Sequence, residues 1–285
     1  MATHTQNPAP RHTEEQGRPA RRQKPVDAVP LWLKAVGVLV AIYLILPTLV
    51  VIPMSFSAGA TFQFPPQEWS LRWYESFFTD ERWLRALSNS LKVAVSVMVV
   101  ATLVGTAAAL GLSKSRGRWA EAVRSFLMLP LVAPGIVIAV VVYIAYLNWQ
   151  MVGSFWGYLL IHTAMALPFV LVSVTASLSG FDANLLRAAS SLGANPLRAF
   201  WRVQLPLILP GVLSGAVFAF VTSLDEVVVA LFIRSPLFET LPVRMFNSVT
   251  IEIDPTVAAA SSILVVLATL FILTPQLFRL VRRKK

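Results

Sequence analysis

The chain has 285 residues, of which 56% are hydrophobic and only 13% charged, and its formal net charge is +10. An ordinary soluble domain carries about 45–50% apolar and about 25% charged residues, so this composition excludes that class and reads as an integral membrane protein. The lack of cysteine excludes disulfides and thiolate metal sites.

Residues 1–30 contain several prolines and basic side chains with few bulky apolar groups, and cannot bury enough surface to offset the entropy of ordering. They are expected to be a disordered basic tail, ahead of one membrane domain over residues 31–285. Runs of about twenty apolar residues predict six spanning helices: Leu31–Met54, Leu87–Leu112, Val123–Leu147, Phe155–Leu178, Leu205–Ile233 and Val257–Leu280. The first run is too long for the apolar region of a signal peptide and is read as a retained span. Pro130, Pro134 and Gly135 predict a bend in the third span, and Pro206 and Pro210 a bend in the fifth.

The positive charge does not point to nucleic acid, because it alternates along the chain. Eighteen of the 24 lysines and arginines fall in the N-terminal segment, the second connection, the stretch between spans four and five, and the C-terminal end. The other connections are sparse in basic residues, which is the positive-inside pattern and makes both termini cytoplasmic.

Gly180 to Pro206 form a polar island between two apolar runs. Asp182 can cap a first short helix, Gly193 can supply the left-handed residue that ends it, and Asn195-Pro196 can start a second. Leu185, Ala188, Ala189 and Leu192 share one face of the first helix, and Leu197, Phe200 and Trp201 one face of the second. Arg187, Arg198 and Arg202 carry the charge. Such an amphipathic elbow suits docking to another subunit.

No phosphate-cradling loop of the G-x-x-x-x-G-K-[ST] type occurs, nor H-E-x-x-H or G-x-S-x-G, so no catalytic and no metal-binding residues are assigned. His162 lies in the fourth span and is read as a polar contact between helices. Ser223-Leu224-Asp225-Glu226 put two adjacent acids inside the fifth span, about 100° apart on a helix. Either Asp225 or Glu226 attracts a cationic solute, or they form a structural pair with Lys92 or Arg234 or snorkel to the surface. Lys92 itself is placed to snorkel. Gly211 and Gly215 are spaced for close helix packing. Tyr143, Tyr146, Trp149, Trp156 and Tyr158 read as an interfacial belt or as faces for a cation.

The island resembles the coupling loop of importer-type ABC permeases, Glu-Ala-Ala, three residues, Gly, nine residues, an aliphatic, any residue and Leu-Pro. Ala188-Ala189, Gly193, Val203 and Leu205-Pro206 fall in that register, with Arg187 where the family has Glu. Leu71 to Tyr74, Ala86 to Leu91, Ser223 to Glu226 and Thr240 to Pro242 extend the likeness to spermidine/putrescine-type permeases. The resemblance implies an all-α membrane fold of six transmembrane helices with a cytoplasmic coupling-helix elbow between spans four and five, in the bacterial inner membrane. It also implies a non-catalytic permease subunit that works by alternating access in contact with membrane lipid. Its implied partners are an ABC ATPase dimer that binds ATP and Mg, a sister permease and a periplasmic solute-binding protein; this chain would hold no cofactor. Polyamine is the expected solute, with aminoethylphosphonate, an opine or ferric iron as alternatives on the same machinery and an ATP-independent secondary transporter as the alternative of another class.

Overall fold

A computed structural model describes residues 30–59, 64–252 and 254–283, which form helices and turns with no strand among them. The tail expected over residues 1–30 lies, Pro30 apart, outside the described residues. The chain divides into two units, Met1–Leu46 and Pro47–Lys285. Helix α1 (Leu31–Met54) begins in the first unit and is apolar on all sides, as a helix solvated by lipid is. The division falls at Pro47, inside this helix, where an amide donor is missing.

In the second unit, α2 (Arg72–Thr79) leads into α3 (Glu81–Lys114), whose first turn is capped by the Asp80 carboxylate on the Arg82 N–H at 2.8 Å. The expected third span is not one helix. It is α4 (Arg118–Val132) and α5 (Gly135–Trp149), at 105° to each other. Pro130 stays within α4; the break comes at Ala133, held extended because the Pro134 ring disfavours helical geometry in the residue before it. Five described helices are long and apolar enough to cross a membrane, and six if α4 and α5 count as one bent span.

Helix α6 (Phe155–Ser179) is followed by α7 (Asn184–Ser191) and α8 (Pro196–Ala199). The second short helix expected in the island is instead the start of a longer one. α8 continues through a π turn at Phe200–Gln204 into α9 (Leu205–Leu224), a helical run of 29 residues. Pro206 explains the turn: it has no N–H to return to the Arg202 carbonyl, and the Leu205 N–H reaches back five residues to Phe200.

The core is the three-way packing of α3, α6 and α9. Buried small residues recur every fourth position: Val97, Ala101, Gly105 and Ala109 on α3, and Gly211, Gly215 and Ala219 on α9. The partner of the Gly211–Gly215 face, open in the sequence, is α6. A Cβ on Gly211 would strike the Ser177 side chain and stand 2.6 Å from the Ser173 carbonyl; one on Gly215 would be 3.1 Å from the Val170 Cα. In a membrane, where burial from water drives nothing, such backbone approach is what association rests on. Beyond α9 come α10 (Val228–Ile233), α11 (Leu241–Asn247) and α12 (Thr256–Arg283). Helix α2 packs on α12, with Phe77, Trp83, Leu241 and Val257 buried together.

Candidate functional site

The elbow emerges from the end of α6. The Asp182 carboxylate accepts the Asn184 N–H at 2.9 Å, and α7 starts there. Gly193 follows the helix with φ +82°, a conformation that costs an L-residue about 1–2 kcal/mol. The Asn195 side chain accepts the Arg198 N–H at 2.8 Å with Pro196 in the first turn, so start and stop signals both act as the sequence implies. Leu192, Leu197 and Trp201 are 88%, 67% and 59% exposed, an apolar surface on a segment too polar to sit in lipid. Arg187 and Ala188 are also exposed and Ala189 is half-buried; the Arg187 guanidinium donates to the Asn184 side chain at 3.1 Å. Val203 lies in the π turn, Leu205 packs against the core, and Pro206 opens α9 on an exposed face. Among the described residues, nothing beyond its chain neighbours stands within 4 Å of the Cβ position at Gly193.

At its far end, α9 stops where the sequence reading continued it. Asp225 and Glu226 lie not inside a helix but at the break between α9 and α10. The Glu226 carboxylate accepts the Val229 N–H at 2.8 Å and the Ala230 N–H at 2.9 Å, two donors that the first turn of α10 leaves without helical partners. A carboxylate also suits the positive end of a helix, and the β-branched run Val227 to Val229 weakens helix continuation. Glu226 is buried and Asp225 exposed, so one acid is held by backbone while the other faces outward.

The buried partner of Glu226 is His162, not Lys92 or Arg234. His162 Nε2 stands 3.7 Å from Glu226 Oε2, and Nδ1 is 2.9 Å from the Ser223 hydroxyl. One turn earlier on α6 the Tyr158 hydroxyl donates to the Ala230 carbonyl at 3.2 Å. His162 and Tyr158 of α6 thus bond to Ser223 on α9 and to the Ala230 backbone on α10, one on each side of the break, with Glu226 beside them. His162 is an interhelical polar contact, as expected; Ser223 and Tyr158 carry no sequence signal for this role beyond being polar in an apolar run.

Near the end of α10 lies a cleft of about 440 Å³, lined by Arg82, Arg234, Glu239 and Arg244 among others. Arg82 forms an ion pair with Asp80 at 2.9 Å, and Arg244 stands 3.9 Å from Glu239 and over the Trp83 ring at 5.5 Å. The Arg82 hydrogen bonds hold the Asp80 carboxyl below its ordinary pKa. The Asn89 amide donates to the Glu239 carbonyl at 3.1 Å and the Ser90 hydroxyl accepts the Leu241 N–H at 2.7 Å, tying this loop to α3. Of the aromatic residues grouped in the sequence, Tyr146 and Tyr158 are buried and bonded to backbone carbonyls, Tyr146 to Gly157 at 2.9 Å. Neither is a belt residue, whereas Trp149 and Trp156 are exposed. Among the described residues no cluster of three or more His, Asp or Glu could hold a metal ion.

Residues 101–284 match the family model described as "Binding-protein-dependent transport system inner membrane component". The chain is 33% identical over 235 residues to the spermidine/putrescine transport system permease protein PotC of Escherichia coli, covering 82% of this chain and 89% of that one. It is 30% identical over 203 residues to the putrescine transport system permease protein PotI of the same organism, covering 69% and 72%. Among solved structures it resembles a bacterial alginate ABC transporter in complex with an alginate pentasaccharide-bound periplasmic protein. The TM-score is 0.66 at 17% identity, with 85% of this chain and 92% of that one covered.

Proposed function

Because the chain belongs to the family of binding-protein-dependent transport system inner membrane components, we propose that it is a permease subunit of an ATP-driven importer of polyamines, spermidine or putrescine. The chain itself is non-catalytic, and ATP and Mg belong to a separate ABC ATPase dimer. A sister permease completes the pore, and a periplasmic solute-binding protein delivers the solute. The basic connections orient both termini and the elbow toward the cytoplasm.

The observation that carries this reading is the helical run Pro196–Leu224, which starts in the exposed apolar elbow and ends at Asp225 and Glu226. A displacement of α7 and α8 by the ATPase is transmitted along this run to the break where the acids sit. The close glycine packing of α9 on α6 makes the pair move as one body. The elbow residues Arg187, Ala188, Ala189, Gly193, Val203, Leu205 and Pro206 form the coupling element, with Gly193 shaping its turn. Asp225 is the exposed carboxylate that attracts a cationic solute, and Glu226, with its backbone donors, holds the break open beside it. Coupling in this sense requires that ATP and loaded binding protein each favour one of the two access states.

The test is uptake of labelled putrescine and spermidine by cells with and without the chain, with aminoethylphosphonate, an opine and ferric iron as competitors. Polyamine uptake that vanishes on deletion and resists those competitors supports the reading; unchanged uptake in cells lacking other polyamine importers removes it.

A further inference from the structure

Lys92 is exposed on a helix that crosses the membrane, and among the described residues no acid pairs with it. No charged residue lies between it and Lys114. At about 1.5 Å per residue that interval is roughly 33 Å of helix, close to the hydrocarbon thickness of about 30 Å. The two lysines therefore mark opposite edges of the hydrocarbon layer, with Lys92 at headgroup level and not within the acyl region. A second element agrees: Phe155, the first residue of α6, lines a groove together with Lys92, and its neighbour Trp156 is 66% exposed, as interfacial aromatics are.

The groove between α3 and α6 has a volume of about 630 Å³ and is lined by Leu91, Lys92, Val95, Ser96 and Phe155. Below Lys92 the same side of α3 is aliphatic, with Val95, Val99 and Leu103 all exposed. From Lys92 to Leu103 the helix rises about 16 Å, the depth of one leaflet at half of about 30 Å. A lone cation above an aliphatic track one leaflet long is complementary to an amphiphile with an anionic head and an acyl chain. We propose that this groove is a binding site for an anionic phospholipid of the outer leaflet, its phosphate on the Lys92 ammonium, its glycerol region against Phe155 and Ser96, and one acyl chain along Val95, Val99 and Leu103. The leaflet assignment rests on the orientation proposed above; the site does not.

The experiment is native mass spectrometry of the full chain, isolated with the subunits that accompany it, from nanodiscs of mixed phosphatidylglycerol and phosphatidylcholine. Wild type retains phosphatidylglycerol in preference. Lys92→Ala lowers the retained amount roughly tenfold, as expected for the loss of one charge-assisted phosphate contact, and Lys92→Arg restores it. Val95→Trp, which fills the track and leaves the lysine, also releases the lipid. Equal phosphatidylglycerol on wild type and Lys92→Ala overturns the proposal, as does a photo-crosslinker at Val95 that captures a protein subunit in place of lipid. The chain has no native cysteine, so Lys92→Cys can be labelled alone with a membrane-impermeant maleimide. Labelling from the outer side supports the leaflet assignment; labelling from the cytoplasmic side only overturns it, whatever the lipid result.

Discussion

Replacing Glu226 by Gln leaves one carbonyl oxygen to accept a backbone N–H and sets an amide NH₂ against the other. Glu226 is only 8% exposed, and its carboxylate serves the Val229 and Ala230 donors at 2.8 and 2.9 Å. A hydrogen bond to a charged group contributes about 1.5–3 kcal/mol, so Glu226→Gln is expected to cost roughly 2–3 kcal/mol and to lower the thermal midpoint of the purified protein. Asp225 is exposed, and its backbone N–H still returns to the Val221 carbonyl at 3.0 Å when its carboxylate is lost. Asp225→Asn is expected to change stability by less than about 0.5 kcal/mol. Its effect belongs to transport. A unit cation about 6 Å from this carboxylate gains roughly 0.7–2.8 kcal/mol between bulk-water and protein-surface dielectric, so KM for labelled spermidine should rise about three- to hundredfold. The assay pairs uptake kinetics in membrane vesicles with thermal melting of each variant. An unchanged KM in Asp225→Asn would refute its part in the pathway. A stable Glu226→Gln with a raised KM would reverse the assignment of the two acids.

Gly211→Ala should destabilise the protein by about 1–3 kcal/mol through overpacking against Ser173 and Ser177. Gly111→Ala, where among the described residues nothing beyond its own helix backbone lies within 4 Å of the Cβ position, should be neutral or stabilise by up to about 1 kcal/mol; equal melting of the two variants would contradict the α6–α9 packing. Gly193→Val should abolish uptake while leaving membrane insertion intact, since the residue has φ +82° and, among the described residues, nothing beyond its chain neighbours lies within 4 Å of its Cβ position; normal uptake would remove the elbow from the coupling path. Asp80 has a folded pKa below its unfolded one, so its contribution to stability is complete above the ordinary carboxylate value of about 4 and disappears as pH falls through the lower folded value. Melting of wild type and Asp80→Asn should therefore converge at acid pH, and a difference that persists there would contradict the capping role.

The elbow was legible because its signals are local: Asn195-Pro196 and Gly193 each fix one backbone position whatever surrounds them. The spans were legible because apolar length is a property of the run itself. The break after Leu224 was not, since neither Gly nor Pro marks it; a glutamate that captures the donors of the next helix looks in sequence like an acid within a span. The break at Ala133 was anticipated only as a bend, because proline announces a lost hydrogen bond and not the angle that packing then selects. Helix rotation also escapes the sequence. Gly211 and Gly215 advertise a close neighbour, but only the three-way packing identifies it as α6, and the pairing of His162 with Ser223 and Glu226 depends on that same geometry.

The proposed function is ATP-driven transport through this permease. It is tested most directly in proteoliposomes that contain the chain with its sister permease and ATPase, loaded with ATP and Mg inside, with binding protein and labelled spermidine outside. Accumulation that requires both ATP and binding protein is the expected result. Accumulation without ATP, driven by an ion gradient or running passively downhill, would contradict the account and point to a secondary transporter or a channel.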